Sequence, residues 1–158
     1  MSDVIITMKN GDVMKAELYP EVAPLTVANF ISLIEKKFFD GLIFHRVING
    51  FMIQGGGYDE KGNHKDAESI KGEFTKNGVT NNLKHTRGVL SMARTSFPNS
   101  ASSQFFIMHM DAPHLDGQYA AFGKITEGLE IVDKIACVPT DYQDCPLEPQ
   151  VIESIRLG

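Results

Sequence analysis

The pair Asn10-Gly11 stands between two segments of alternating apolar and polar residues, DVIITMK before it and DVMKAEL after it. Alternation with period two puts every second side chain on one face of a sheet. Asn-Gly is a strong two-residue hairpin signal, because the turn that matches strand twist needs positive φ at both central positions. A chain that opens this way predicts an antiparallel sheet with one buried face. The pattern recurs at LIFHRV and FMIQ, which flank a second Asn-Gly at 49–50. Further short strands are predicted at GVLSMA, SQFFIM, YAAFGKI and PQVIESIRL.

Only two segments read as helices. In PEVAPLTVANFISLIEKKFF, Pro24 and Thr26 mark a start, and Phe30, Leu33, Ile34 and Phe38 recur at three-to-four spacing. In EGLEIVDKIA, the residues Leu129, Ile131, Val132 and Ile135 supply a face to bury. Many short strands with two helices predict a mainly β fold, a closed antiparallel barrel that leaves no exposed strand edge. Residues 55–83, rich in Gly, Asn and Lys, read as a long, mostly irregular excursion. Loops of that length inside compact domains are usually functional.

At 158 residues, 42% hydrophobic and 22% charged, the chain reads as one globular domain spanning 1–158 with a core of its own. No apolar run approaches the ~20 residues of a membrane helix. The opening MSDVIITMKNGDV lacks the basic start and apolar stretch of a signal peptide, so a cytoplasmic protein is expected. A formal charge of −5 argues against nucleic acid, and the densest basic stretch, KHTRG at 84–88, is short. Cys137 and Cys145 read as free thiols, with a redox pair as the alternative. His109 and His114 have no further ligands at a suitable spacing, so no metal site is expected. No nucleophile elbow, P-loop or dinucleotide fingerprint is present.

Three groups of residues do not fit an unadorned barrel. Folding the hairpin about Gly50 sets Arg46 opposite Gln54, on the face that Met52 shares, with Phe51 at the bend. Either both polar side chains are solvated on an outer face, as antiparallel sheets commonly allow, or they do something. In SSQFFIM, Gln104 and Phe106 share one face while Phe105 and Ile107 point to a core. HLDGQY presents His114, Leu115 and Tyr119 from a loop. Phe106 read alone is equally a plain core residue, and the loop residues equally ordinary turn chemistry. His45, on the other strand face from Arg46, reads as a packed, hydrogen-bonded histidine.

FHRVINGFMIQGG, GVLSMARTSFPNSASSQFFI and LDGQYAAFGKI together resemble the cyclophilin-type peptidyl-prolyl cis–trans isomerases, and in wording the small single-domain bacterial members. The resemblance implies an eight-stranded antiparallel barrel capped by two helices, with a peptide groove on the barrel's outer face and no cofactor. It implies that Arg46 is catalytic, and that Phe51, Met52, Phe106 and Leu115 form a proline pocket. Gln54 and Gln104 would position the arginine and the substrate, and the backbone of Ala93 and Arg94 would pair with the bound peptide. His114 and Tyr119 complete the groove. Three positions depart from the family's pattern. Arg94 stands where asparagine is frequent, Tyr119 replaces a rim histidine, and His114 replaces a tryptophan tied to cyclosporin, so weak binding of that drug is expected. The implied partners are proline-containing peptides and unfolded or folding proteins, bound by a monomer. A proline-peptide binding module or chaperone using the same groove is the alternative.

Overall fold

The computed structural model describes residues 3–158. Met1 and Ser2, the first residues of the opening segment MSDVIITMKNGDV and of the expected 1–158 domain, lie outside the described residues. Strands β1 (Asp3–Met8) and β2 (Val13–Leu18) pair antiparallel around Asn10-Gly11, with Ile6 opposite Met14. Val4, Ile6 and Met8 are buried, as are Met14, Ala16 and Leu18, so the alternation read from the sequence is the inside–outside pattern of the sheet.

Helix α1 (Pro24–Glu35) starts at a proline, whose missing N–H costs nothing in the first turn. The residue before it, Ala23, offers no side-chain cap. The cap comes instead from the excursion: Glu73 Oε1 accepts from Thr26 N at 2.6 Å and from Thr26 Oγ1 at 2.7 Å. The helix ends at Glu35, short of Phe38, because Lys37 takes φ 56° and turns the chain. Phe38 still packs into the core, but from the turn.

The remaining elements are β3 (Leu42–Ile48), β4 (Met52–Asp59), β5 (Val89–Met92), β6 (Phe105–Met108), β7 (Ala121–Glu127), α2 (Leu129–Ala136) and β8 (Ile152–Leu157). Among the described residues, eight strands form one antiparallel sheet in the order β3-β4-β6-β5-β7-β2-β1-β8. The two end strands meet only narrowly, so the barrel is nearly closed. An isolated bridge joins Ile43 to Val151, and the N–H groups of Gly41 and Phe44 donate to the carbonyls of Ile152 and Gln150 at 2.9 and 3.0 Å. Phe105 is central to the interior, edge-on to Phe30, Phe39 and Phe44 at 5.3, 5.6 and 6.0 Å between ring centroids. Each such pair adds about 0.5–1.5 kcal/mol beyond its burial.

Two features of the β3–β4 pair were not expected. First, β4 runs on through Gly55, Gly56 and Gly57 to Asp59, where an irregular excursion was predicted from residue 55. A Cβ at Gly55 would lie 2.8 Å from the Ile43 carbonyl oxygen, so only glycine lets the strands approach here. Second, the register steps from Phe44↔Gly55 to Arg46↔Gln54, which makes His45 a bulge. Phe44 and Val47 both join the core, so the extra residue is what turns Arg46 outward.

Residues 60–83 are largely irregular, with a single 3-10 turn at Thr75–Asn77 among the described residues. Buried Asn81 secures the segment, donating from Nδ2 to the carbonyls of Glu73 and Ala121, each at 2.9 Å.

Candidate active site

A second apolar cluster lies outside the barrel, on the face made by β3, β4, β5 and β6. Met52, Phe106 and Leu115 are among its buried members, at 2, 5 and 8% exposure. They floor a cavity of about 150 Å³. Phe51, Tyr119, Ala93 and Arg94 wall it, and Arg46 and Gln54 stand at its edge. Nine of the eleven residues singled out in the sequence therefore surround one cavity. Gln104 lines the adjoining cavity, of about 280 Å³, together with Gln54, Ala93 and Arg94. His114 lines neither and lies beside the first, its ring 5.8 Å from that of Phe51.

The polar groups form a directed chain. Arg46 donates from a terminal guanidinium nitrogen to Gln54 Oε1 at 3.4 Å, and Gln54 Nε2 donates to Gln104 Oε1 at 3.0 Å. Each amide uses its acceptor on one neighbour, so the order of the chain fixes which way the Gln54 amide faces. The Arg46 guanidinium keeps other N–H groups free to donate toward the cavity.

Ala93 and Arg94 follow the end of β5. Ala93 donates its N–H to the Gln104 carbonyl at 3.0 Å, which ties the two cavity walls together. The Arg94 side chain has a role the sequence did not suggest. Its guanidinium carbon lies 4.6 Å from the Phe74 ring centroid and 4.7 Å from that of Tyr119. Its Nε and NH2 donate to the Gln118 carbonyl at 3.2 and 2.6 Å. Arg94 is thereby a wall that holds the Tyr119 ring in place.

Beneath the cavity is a network that sequence reasoning missed. Asp116 Oδ1 accepts from the His85 backbone N–H at 2.7 Å and from His85 Nδ1 at 3.1 Å, while His85 Nε2 lies 2.9 Å from Ser91 Oγ. With Nδ1 donating, Nε2 accepts from the serine hydroxyl, so the ring is neutral, and burial pushes its pKa down. The three residue types are those of a hydrolytic triad, but His85 and Ser91 are fully buried and no substrate reaches Oγ. Their role is support: the His85 ring stacks on Phe106 at 6.1 Å, Ser91 pairs with Phe106 across the strands, and Asp116 adjoins Leu115. The signal was invisible because 31 residues separate His85 from Asp116.

A second missed histidine sets the bend that carries Phe51. His109 Nδ1 accepts from the Gly50 N–H at 2.9 Å, and its Nε2 donates to Asp133 on α2 at 3.0 Å. Asp133 also takes a two-pronged contact from Arg87, which holds its carboxyl below the usual range.

The reading of His45 as hydrogen-bonded is corrected. Its Nδ1 is the one buried side-chain nitrogen or oxygen among the described residues without a hydrogen-bond partner. The bulge turns the ring against Tyr58, 4.7 Å away, rather than toward a polar group. Burial first, then the charge of Arg46, lowers its pKa to about 4.

Cys137 and Cys145 are both free. Cys145 answers Asp141 in a small hairpin, its carbonyl accepting the Asp141 N–H at 2.9 Å. The Cys137 sulfur accepts from Asn49 at 3.2 Å instead. Among the described residues, no three His, Cys, Asp or Glu gather as a metal site, and no helix is long and apolar enough to cross a membrane.

Known proteins resemble this chain over nearly its whole length. Residues 4–157 match the family model described as cyclophilin type peptidyl-prolyl cis-trans isomerase/CLD. A peptidyl-prolyl cis-trans isomerase of Acinetobacter baylyi is 43% identical over 99% of this chain and 87% of its own length. Peptidyl-prolyl cis-trans isomerase B of Escherichia coli is 41% identical over 94% and 95%. Among solved structures, a cyclophilin type isomerase of Cryptosporidium parvum, crystallised in the presence of the dipeptide Ala-Pro, superposes with a TM-score of 0.85. It is 32% identical, with 99% of both chains covered.

Proposed function

Because the chain belongs to the cyclophilin-type peptidyl-prolyl cis–trans isomerase family and has that family's activity, we propose that Arg46 is the group that lowers the rotational barrier. Rotation about an Xaa–Pro bond faces ~18–20 kcal/mol, because the amide nitrogen shares its lone pair with the carbonyl. Unaided exchange takes tens to hundreds of seconds. In the twisted state the nitrogen is pyramidal and its lone pair is localised, so a donor aimed at it binds that state better than the planar one. Arg46 stays charged, and its planar fork is braced by Gln54 while other N–H groups donate.

The proline ring would sit on Met52, Phe106 and Leu115, between Phe51 and Tyr119. Backbone groups at Ala93 and Arg94, past the end of β5, would take up the flanking peptide as an added strand. The observation that carries the reading is the chain from Gln104 through Gln54 to Arg46 at the edge of an apolar cavity. The cyclophilin solved with Ala-Pro supports a proline-containing ligand for this cavity too. We assign the same groove to Xaa–Pro segments of unfolded and folding proteins, engaged by a cytoplasmic monomer whose single domain is 1–158. Cyclosporin would bind weakly, since His114 offers a smaller ring than the tryptophan it replaces.

Isomerisation of a proline peptide by wild type and Arg46→Ala tests this. The variant is expected to lose about 100-fold or more in kcat/KM, the cost of removing one aimed donor. Undiminished exchange by a folded Arg46→Ala protein would overturn the assignment, and retained binding without exchange in wild type would favour a pure peptide binder.

A further inference from the structure

A third cavity, about 320 Å³ and larger than either of the other two, lies on the far side of Arg46. It shares Arg46 with the proline cavity and Gln104 with the second, so all three meet around the same hydrogen-bonded chain. Its apolar lining comes from Ile43, the Tyr58 ring and the Cys145 thiol, and Gln143 sits on its rim. His45 lines it too and is neutral above about pH 4, leaving Arg46 as the only cation among the described residues that line it.

The wall formed by Gln143 and Cys145 is built before any ligand arrives. Asp141 Oδ1 accepts from the N–H groups of Gln143 and Cys145 at 2.8 and 3.1 Å, and Thr140 bridges to Pro146. The Asp144 carbonyl accepts the Val47 N–H at 2.8 Å, which fastens this hairpin to β3 beside Arg46.

We propose that this cavity receives the side chain of the residue following proline in the substrate, and that it selects an uncharged, apolar one. The inference rests on the isomerase reading above. A residue preceding proline is held extended by the ring, so the preceding flank suits strand pairing with Ala93 and Arg94 beside the second cavity. The following residue carries no such restriction. The third cavity adjoins the proline cavity at Arg46 and has no share in Ala93 or Arg94, so with the preceding flank on that side it is left to the residue that follows. The thiol, the phenol ring and the uncharged imidazole favour an aliphatic or aromatic side chain, while the adjacent guanidinium disfavours a cation. A preformed cavity makes such contacts without an ordering cost.

Exchange spectroscopy on blocked Ala-Ala-Pro-Yaa-Ala peptides, with Yaa glycine, leucine or lysine, tests the proposal without a coupling protease that has its own preference at Yaa. Wild type is expected to show kcat/KM for leucine about tenfold above glycine, as partial burial of a leucine side chain allows, and lysine at or below glycine. Cys145→Phe and Gln143→Trp fill the cavity from two sides. In both, the leucine-to-glycine ratio should fall toward one, and a ratio cancels any general loss of activity. Gln143 is exposed on a turn, so its variant carries the test if Cys145→Phe fails to fold. Equal rates for the three peptides in wild type, or an unchanged ratio in the folded variants, would overturn the inference alone. Failure of wild type to accelerate any of the peptides would overturn the isomerase reading and this inference with it.

Discussion

Arg46 and Gln54 face each other directly across the β3–β4 ladder, and the arginine donates to the glutamine's Oε1 at 3.4 Å. The pairing holds a flexible cation in one orientation without burying it. Gln54 also donates to Gln104, so it is itself fixed before the arginine leans on it.

The brace makes the guanidinium more than a charge. Arg46→Lys supplies a cation with no planar fork to be held, and is expected to stay at least about tenfold below wild type in kcat/KM. Gln54→Ala should lose about tenfold with KM nearly unchanged, since the group it positions acts on the twisted state. Steady-state parameters on one proline peptide, with thermal melts as a control, check both.

Gly57 guards the other end of the chain. A Cβ there would lie 2.5 Å from Gln104 Nε2, and the side chain would have to move. Gly57→Ala should therefore cost little stability, under about 1 kcal/mol, because a flexible side chain gives way rather than backbone. It should lower kcat/KM several-fold, and the added substitution Gln104→Ala should then have almost no further effect. A double-mutant cycle measures that coupling.

Ser91→Ala leaves His85 Nε2 buried without its donor. The expected loss is about 1–3 kcal/mol of unfolding free energy, the range for an orphaned buried acceptor. Denaturant unfolding measures it. Because His85 backs the Phe106 ring, KM for proline peptides should rise as well.

Stability should fall as the solution is acidified from about pH 6.5 toward pH 4. His45 has a folded pKa near 4 against an ordinary 6.5, so the unfolded chain takes up its proton first and acid favours unfolding through that window. Above 6.5 the effect is fully absent, and below 4 it has run its course. His45→Gln should flatten the slope, with a remainder from His85, which burial also holds down. Chemical denaturation at a series of pH values provides the test.

Much of the groove could be read from local pattern. Opposition of Arg46 and Gln54 follows from folding the hairpin about Gly50, with residues 49–51 as the loop, and the split between Phe105 inside and Phe106 outside follows from a period of two. What escaped was non-local. No periodicity reveals that Asp116 reaches back to His85, that Glu73 caps α1, or that Arg94 spans Phe74 and Tyr119. Each of these contacts joins positions far apart in the chain that come together only in the folded sheet with its long excursion packed against it.

By itself, the sequence determined the strand segments, their turns, the two helices and the faces that carry Arg46, Gln54 and Phe106, because these depend on neighbours a few residues away. Only the tertiary structure decided how those faces are aimed. Alternation alone would set Phe44 and Arg46 on one side of β3, yet Phe44 lies in the core and Arg46 at the cavity's edge. The bulge at His45 separates them, and it persists because the close approach at Gly55 and the core's demand for both Phe44 and Val47 leave the extra residue no place in the ladder.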